Sequence, residues 1–399
     1  MRYLHNRLLL STLMPLVGLS TLRTARAQSV PPLRQSLAPK REEEEAENPY
    51  LTGTWGGARS WLEEHGVDIQ GTYTADAFAR VAGGPETDRP YAYLGSSDAS
   101  VDVDTGALGA WDGGTLELRF KELHGEGLTE AHLGGLQPVS NLEADRYVTL
   151  AEYWYRQEFV GGALALKVGR QEANVDFAAS DYAGTLINAS FGVFPTLELS
   201  TYPDWALGAA AFATPVEALT LQVGVFDGEP DGKKPLGGTR VFRADTERLY
   251  VGEIQLHSAP IFAGPPGTLR LGGFRHGASY GGYAIFDHQI WQSEPSVGVF
   301  VQIGLAPQDQ TETWLYSGTG LALTGLVPGR DEDVLSLGVA RVQVSPELED
   351  AETVVELAYE AFVTGFVSVK PTLQYIDNPG GQRQTPSALV TGLRAVITL

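Results

Sequence analysis

Along most of this chain, apolar and polar positions alternate in twos. The clearest case is Thr353–Ile376, where Val355, Leu357, Tyr359 and Ala361 fall on one side and Glu356, Ala358 and Glu360 on the other. After a turn near Thr364–Gly365 the pattern resumes, with Val367, Val369, Leu373 and Tyr375 set against Ser368, Lys370, Thr372 and Gln374. Strand side chains alternate faces with a period of two, so this stretch predicts a hairpin with one greasy and one polar face. A soluble antiparallel sheet with one wet face would give the same pattern. Segments of about 10 residues, repeated down the whole chain, point instead to strands that cross a membrane.

The repeats are easy to follow. Val67, Ile69 and Tyr73 alternate with Asp68, Gln70, Thr72 and Thr74; Ala99, Val101 and Val103 alternate with Ser100, Asp102 and Asp104. Leu116, Leu118 and Phe120 oppose Glu117, Arg119 and Lys121, while Tyr153, Tyr155 and Phe159 oppose Glu152, Trp154, Arg156 and Glu158. Leu164, Leu166 and Val168 follow, then Leu219, Leu221, Val223 and Val225. Further segments run near 205–214, 247–258, 267–276, 282–292, 296–305, 313–322 and 333–344, and a last strand covers Ser387–Leu399. The count is about sixteen, a number that suits a water-filled barrel.

Charge on the polar face sharpens the prediction. On the lipid side near the midplane a charged residue costs about 2–4 kcal/mol, so this face is the lumen. No spanning strand edge can stay unpaired in lipid, so the sheet must close. Tyr153, Tyr155, Tyr359 and Tyr375, near ends of apolar stripes, fit interfacial aromatic belts. Two segments break the rhythm: 172–204, the longest connection in the barrel region, and His124–Arg146. Connections this long are usually functional.

Composition narrows the classes. The 47 glycines and 10% aromatics suit a sheet with many tight turns, and the absence of cysteine excludes disulfides and thiolate chemistry. Arg2 and Arg7 precede the apolar run Leu8–Leu19, and Ala25-Arg26-Ala27 supplies a small-x-small cleavage site, so residues 1–27 read as a secretory signal peptide. Its removal takes away Arg2, Arg7, Arg23 and Arg26 and no acid, moving the formal charge from −21 to −25. So acidic a chain is unsuited to nucleic acid. Residues 28–48, with three prolines and the run Arg41–Glu45, read as a flexible acidic leader. Ala58–His65 predicts a short helix ended by Gly66, which opens a domain running from 49 to 399.

Enzyme chemistry finds little support. Gly277-Ala278-Ser279-Tyr280-Gly281 fits G-x-S-x-G, but a nucleophile elbow needs a strand running into a helix, and this serine sits between strands. A membrane-embedded hydrolase would need a histidine beside Ser279. The histidines lack metal-ligand spacing, and Asp331-Glu332-Asp333 and Asp102-x-Asp104 lack that of a calcium loop. No cofactor, metal or catalysis is expected.

Several phrases, in order, resemble the carbohydrate-selective porins of the OprB type: LTGTWGGARSWLEEHG (51–66), HGEGL (124–128), LQPVSNLEA (136–144), AEYWYRQ (151–157), GRQEANVDF (169–177), INASFG (187–192), STYPDWALG (200–208), VFDGEPD (225–231), GLVPGRDEDVLSLGVA (325–340) and LQYIDNPGG (373–381). The chain departs from the pattern at Leu399, where outer-membrane barrels usually end in an aromatic residue, and at Arg156, where the family more often has an acid. The resemblance implies an all-β, sixteen-stranded transmembrane antiparallel barrel in the outer membrane of a Gram-negative bacterium, with a short periplasmic helix. It implies passive diffusion of monosaccharides, and of short oligosaccharides, into the periplasm. A general or ion-selective porin without sugar preference stays open as the alternative. The expected partners are sugars as permeating solutes, outer-membrane lipids and the barrel-assembly machinery, with a homotrimer left open.

A pore that prefers sugars needs hydrogen-bonding side chains and aromatic surface at a constriction, and must release what it binds. Parity puts Arg119, Lys121, Glu152, Trp154, Arg156, Glu158 and Lys167 on the lumen side. The connections add Arg170, Asn174, Asp176, Asn188, Asp204 and Trp205. Trp154 is the candidate for stacking on a sugar ring. The competing reading is that these charges pair across the lumen and hold the loops.

Overall fold

The computed structural model describes residues 49–86, 89–230, 247–258, 265–308, 311–344, 350–382 and 384–399; the expected signal peptide (1–27) and leader (28–48) lie outside the described residues. Among the described residues sixteen strands follow one another: β1 (Val67–Gly83), β2 (Tyr91–Asp104), β3 (Gly114–Glu126), β4 (Tyr147–Phe159), β5 (Leu164–Gln171), β6 (Ala206–Val216), β7 (Leu219–Asp227), β8 (Arg248–His257), β9 (Gly267–His276), β10 (Ser279–Trp291), β11 (Ser296–Leu305), β12 (Thr313–Thr324), β13 (Val334–Val344), β14 (Ala351–Thr364), β15 (Val367–Asp377) and β16 (Ala388–Thr398). Each pairs antiparallel with its sequence neighbours, and β1 pairs with β16, from Thr72 opposite Thr398 to Gly83 opposite Ala388. The sheet closes and keeps no free edge, as a span through lipid requires.

The alternation falls as expected. Leu116, Leu118, Phe120, Leu164, Leu166, Val168, Leu357 and Leu373 are exposed on the outer surface, while Glu117, Lys121, Glu152, Lys167, Glu356 and Gln374 are buried inside. A bulge in β4 preserves this: Arg119 faces Glu152, but the next residue, Phe120, faces Leu150, so Ala151 is extra.

One mouth carries the start of β1, the end of β16 and short connections such as 217–218 and 365–366, the periplasmic arrangement; the long connections 127–146 and 172–205 open from the other mouth, which faces outward. At the periplasmic mouth the helix α1 (Ala58–Glu64) starts from a buried clasp. Arg59 stacks over Tyr50 and Trp55 and donates to the Leu399 carbonyl at 2.9 Å. Tyr155, bonded to Trp111, and Tyr359, bonded to Asp333, lie toward this mouth, and Tyr375 toward the other.

β2 starts at Tyr91 and β10 at Ser279, earlier than the polarity pattern indicates. For β2 the reason is packing inside the barrel. Leu94 faces inward and is buried with Leu123, Tyr147, Ala151 and Trp205 under the loops, which erases the polar half of the alternation there.

Candidate functional site

The two long loops fold into the barrel and are held by wall carboxylates. Connection 172–205 starts with one helical turn, Ala173–Asp176, and crosses the inner wall. The Ala178 N–H donates to Glu253 on β8 at 2.8 Å, and Ser180 Oγ donates to Asp287 on β10 at 2.6 Å. Gln302 of β11 donates to the Phe191 carbonyl at 2.8 Å. At the far side the Ile187 and Asn188 N–H groups donate to the two oxygens of Glu356 at 3.0 and 2.9 Å, and Lys370 donates to the Thr185 carbonyl. The acids accept what the irregular backbone offers, so a buried loop keeps its polar groups satisfied.

Apolar contacts complete the docking. Phe194 stacks on Tyr316 with centroids 4.7 Å apart, and Phe191 meets Phe300 edge-on. Room for this comes from lumen-facing glycines within strands. A β-carbon at Gly298 would run into the Tyr182 ring, and one at Gly338 into Leu186 and Phe191.

Connection 127–146 takes up the wall next to it, from β14 round to β1. The Leu136 and Gln137 N–H groups donate to Glu352 at 2.7 and 2.8 Å, and Ser140 Oγ donates to Asp76 at 2.6 Å. Arg394 forks onto the same Asp76 carboxylate with two bonds of 2.7 Å. Within the loop, Glu143 accepts from the Leu128 N–H and from the N–H and hydroxyl of Thr129. Burial outweighs these bonds and pushes the Glu143 carboxyl up to about 7. Burial likewise pushes the loop phenols Tyr182 and Tyr202 up to about 12.

With the loops anchored on β7–β16 and β1, the lumen face of β2–β5 forms a charged ladder. Arg119 lies 2.8 Å from Glu117, 3.6 Å from Glu152 and 3.7 Å from Asp98; Lys121 lies 3.3 Å from Asp98. Arg156 sits 3.6 Å from Glu158 and its guanidinium lies over Phe212. Lys167 reaches Asp176 at 2.9 Å and lies 4.4 Å above the Trp154 ring. Seven of the residues named from parity thus come together on one wall, joined by Asp176.

The other loop candidates go elsewhere. Arg170 is buried and donates to the Leu150 carbonyl at 2.6 Å. Asn174 caps its own turn through the Phe177 carbonyl. Asn188 is buried and bonds Gln137 and Gln374, tying the two loops to β15. Trp205 is buried edge-on between Tyr147 and Tyr202, and Asp204 is exposed beside it. Glu253, Asp287, Glu352 and Glu356, the anchors, were not singled out by sequence. Their signal was an acid at a lumen position opposite a long connection.

Ser279 donates to Glu198 at 2.8 Å rather than to a histidine, and His276 meets the other Glu198 oxygen at 3.4 Å. A carboxylate thus stands between serine and imidazole, and Ser279 begins a strand, not a helix. Asp333 accepts from Arg330 and the Phe362 N–H, and Asp104 caps the turn at Gly106 and Ala107.

A closed sixteen-stranded barrel with a greasy outside, a charged inner wall and loops folded into its bore is a porin. The sequence profile described as "Carbohydrate-selective porin, OprB family" matches residues 88–280 and 272–399, and the chain belongs to that family. It is 22% identical to Porin B of Pseudomonas aeruginosa, over 86% of this chain and 90% of that one. It is equally identical to the putative porin QuiX of Acinetobacter baylyi, over 86% of this chain and 92% of that one. The high-pH structure of Pseudomonas putida OprB superposes with a TM-score of 0.82 at 21% identity, over 90% of this chain and 100% of that one. The low-pH structure of the same protein gives a TM-score of 0.64 at 20% identity, over 89% and 100%.

Proposed function

We propose that this chain is an outer-membrane pore for passive inward diffusion of sugars, monosaccharides and short oligosaccharides, and that the β2–β5 ladder is its selective wall. Residues 1–27 and 28–48 are its signal peptide and leader, and 49–399 its pore domain. The observation that carries the reading is the compensation of charge on that wall. Arg119, Lys121, Arg156 and Lys167 each lie within 4 Å of a carboxylate. A wall of paired charges presents donors and acceptors at close spacing with little net field, which suits a neutral polyol better than a free ion. The Trp154 ring, partly exposed beside Lys167, offers the apolar face of a sugar a surface to stack on. Family membership supports the same solute class and a channel rather than an enzyme.

The test is swelling of liposomes holding the purified protein in isosmotic sugars, against amino acids and salts of the same size. Faster swelling in sugars is expected. Equal rates would favour a general pore. Solution mass in detergent tests whether the barrels assemble as trimers.

A further inference from the structure

Three outward-facing glycines form a row across the lipid side of the barrel. Gly252 on β8 pairs with Gly273 on β9, which pairs with Gly282 on β10. None has a positive φ, and none has an aromatic ring against it. A β-carbon at Gly252 would meet nothing closer than 3.9 Å and one at Gly282 nothing closer than 3.6 Å, while Gly273 faces only the Gly281 carbonyl at 3.1 Å. Glycine at 252 and 282 is thus demanded neither by the backbone nor by packing inside this chain. It leaves a hollow floored by main chain, walled sideways by Val223 on β7 and Leu305 on β11, both exposed. The hollow continues as a groove of about 830 Å³ along the outer face, lined by Leu166, Ala211, Val223 and Ile254.

One step toward the outward mouth, the same three strands carry Tyr250, Arg275 and Tyr280 side by side. All three are exposed, and Tyr250 and Tyr280 present more than half of their surface. Arg248 joins them by parity, and a second hollow of about 600 Å³ lies among Arg248, Tyr250, Arg275 and Gly277. Arg248 and Arg275 also touch main-chain carbonyls, of Glu247 and Gly277, at 3.4 and 3.3 Å. The Glu247 carboxylate stands beside Gly277 at the loop edge. Two arginines on the lipid side of so acidic a chain, at headgroup level and directly above a smooth apolar hollow, match a molecule with an anionic head and a hydrocarbon tail.

We infer that the outer face of β8–β10 binds an anionic, phosphate-bearing lipid of the outer leaflet, its phosphate between Arg248 and Arg275 and an acyl chain over Gly252, Gly273 and Gly282. The guanidinium forks take the phosphate oxygens, and Tyr250 and Tyr280 flank the glycerol or sugar of the head as interfacial aromatics do. A side chain at the glycine row would lift the acyl chain off the wall.

Native mass spectrometry of the full chain in detergent tests this, with bisphosphorylated lipid A as the probe and phosphatidylcholine as the acyl-bearing, net-neutral control. The wild type is expected to retain lipid A over phosphatidylcholine. Arg248→Ser with Arg275→Ser should reduce the lipid A adduct by about tenfold or more, the size that two arginines near an anionic surface supply, and leave the phosphatidylcholine adduct unchanged. Gly252→Leu and Gly282→Leu, each with the arginines intact, should reduce lipid A retention; circular dichroism confirms that each barrel is folded. Full lipid A retention in the arginine variant, or equal retention of both lipids by the wild type, would overturn the inference. So would glycine variants that lose a multimer while their lipid adducts stay constant, because the hollow would then seat a second copy.

Discussion

Replacing Glu356 by alanine removes the acceptor that holds the middle of the inward loop. In the native protein this fully buried carboxylate takes the N–H groups of Ile187 and Asn188 and the Thr372 hydroxyl at 3.0, 2.9 and 2.8 Å. Truncation leaves two buried N–H groups without a partner, each costing about 1–3 kcal/mol, and forfeits a hydroxyl bond to a charged acceptor. Docking at this point therefore weakens by roughly 3–6 kcal/mol. The loop stays tethered through Ser180–Asp287 and Ala178–Glu253, so the barrel should still fold and only the segment around 185–192 should come away. In planar bilayers Glu356→Ala is expected to raise open-channel noise and weaken sugar block, and protease should now cut near Phe191. Glu356→Gln, which keeps one acceptor oxygen, should fall between. If Glu356→Ala conducts quietly, with wild-type sugar block and protease resistance, the carboxylates do not set the loop's position and the account of the constriction fails.

Glu143 gives a pH dependence of defined sign. Burial raises its carboxyl in the folded loop from an ordinary 4.5 to about 7, so the stability it lends to loop 127–146 is complete below about 4.5 and is lost as pH rises through about 7, by at most about 3 kcal/mol. Protection of amides within this loop, taken relative to the base-catalysed rate of the free chain at each pH, should fall as pH rises from about 5 to about 7, and Glu143→Gln should flatten the trend. Gly338→Val should push Leu186 and Phe191 off the wall, costing about 1–3 kcal/mol by overpacking and lowering thermal stability, whereas Gly252→Val on the outer face should be nearly neutral to folding. Trp154→Ala and Arg156→Ala should each weaken sugar block of single-channel current; if neither does, nor any other substitution along the ladder, the selective wall lies elsewhere.

The barrel was legible because its outer surface imposes one rule on every strand. Leu357 and Glu356 could be assigned opposite faces from sequence alone, since a slip of one residue would put the acid in lipid. The same rule assembled Arg119, Lys121, Glu152, Trp154, Arg156, Glu158 and Lys167 on one wall. What stayed hidden was the inside of the outward half. There Leu94 and Phe78 face inward as apolar residues, because the loops turn the lumen into a second core. Asn188 looks like a solute contact in sequence and is a loop clasp in the fold, since nothing local says which polar groups its neighbours need. In-strand glycines such as Gly298 resemble turn signals until the ring each one receives is known.

Planar-bilayer conductance of the purified protein, with and without a panel of sugars, reads the pore's preference for sugars itself. A stable open channel in salt is expected, with a current that falls as sugar is added, to a degree that depends on the sugar. An insertion-competent protein whose current ignores every sugar at concentrations that same-sized solutes match would contradict it.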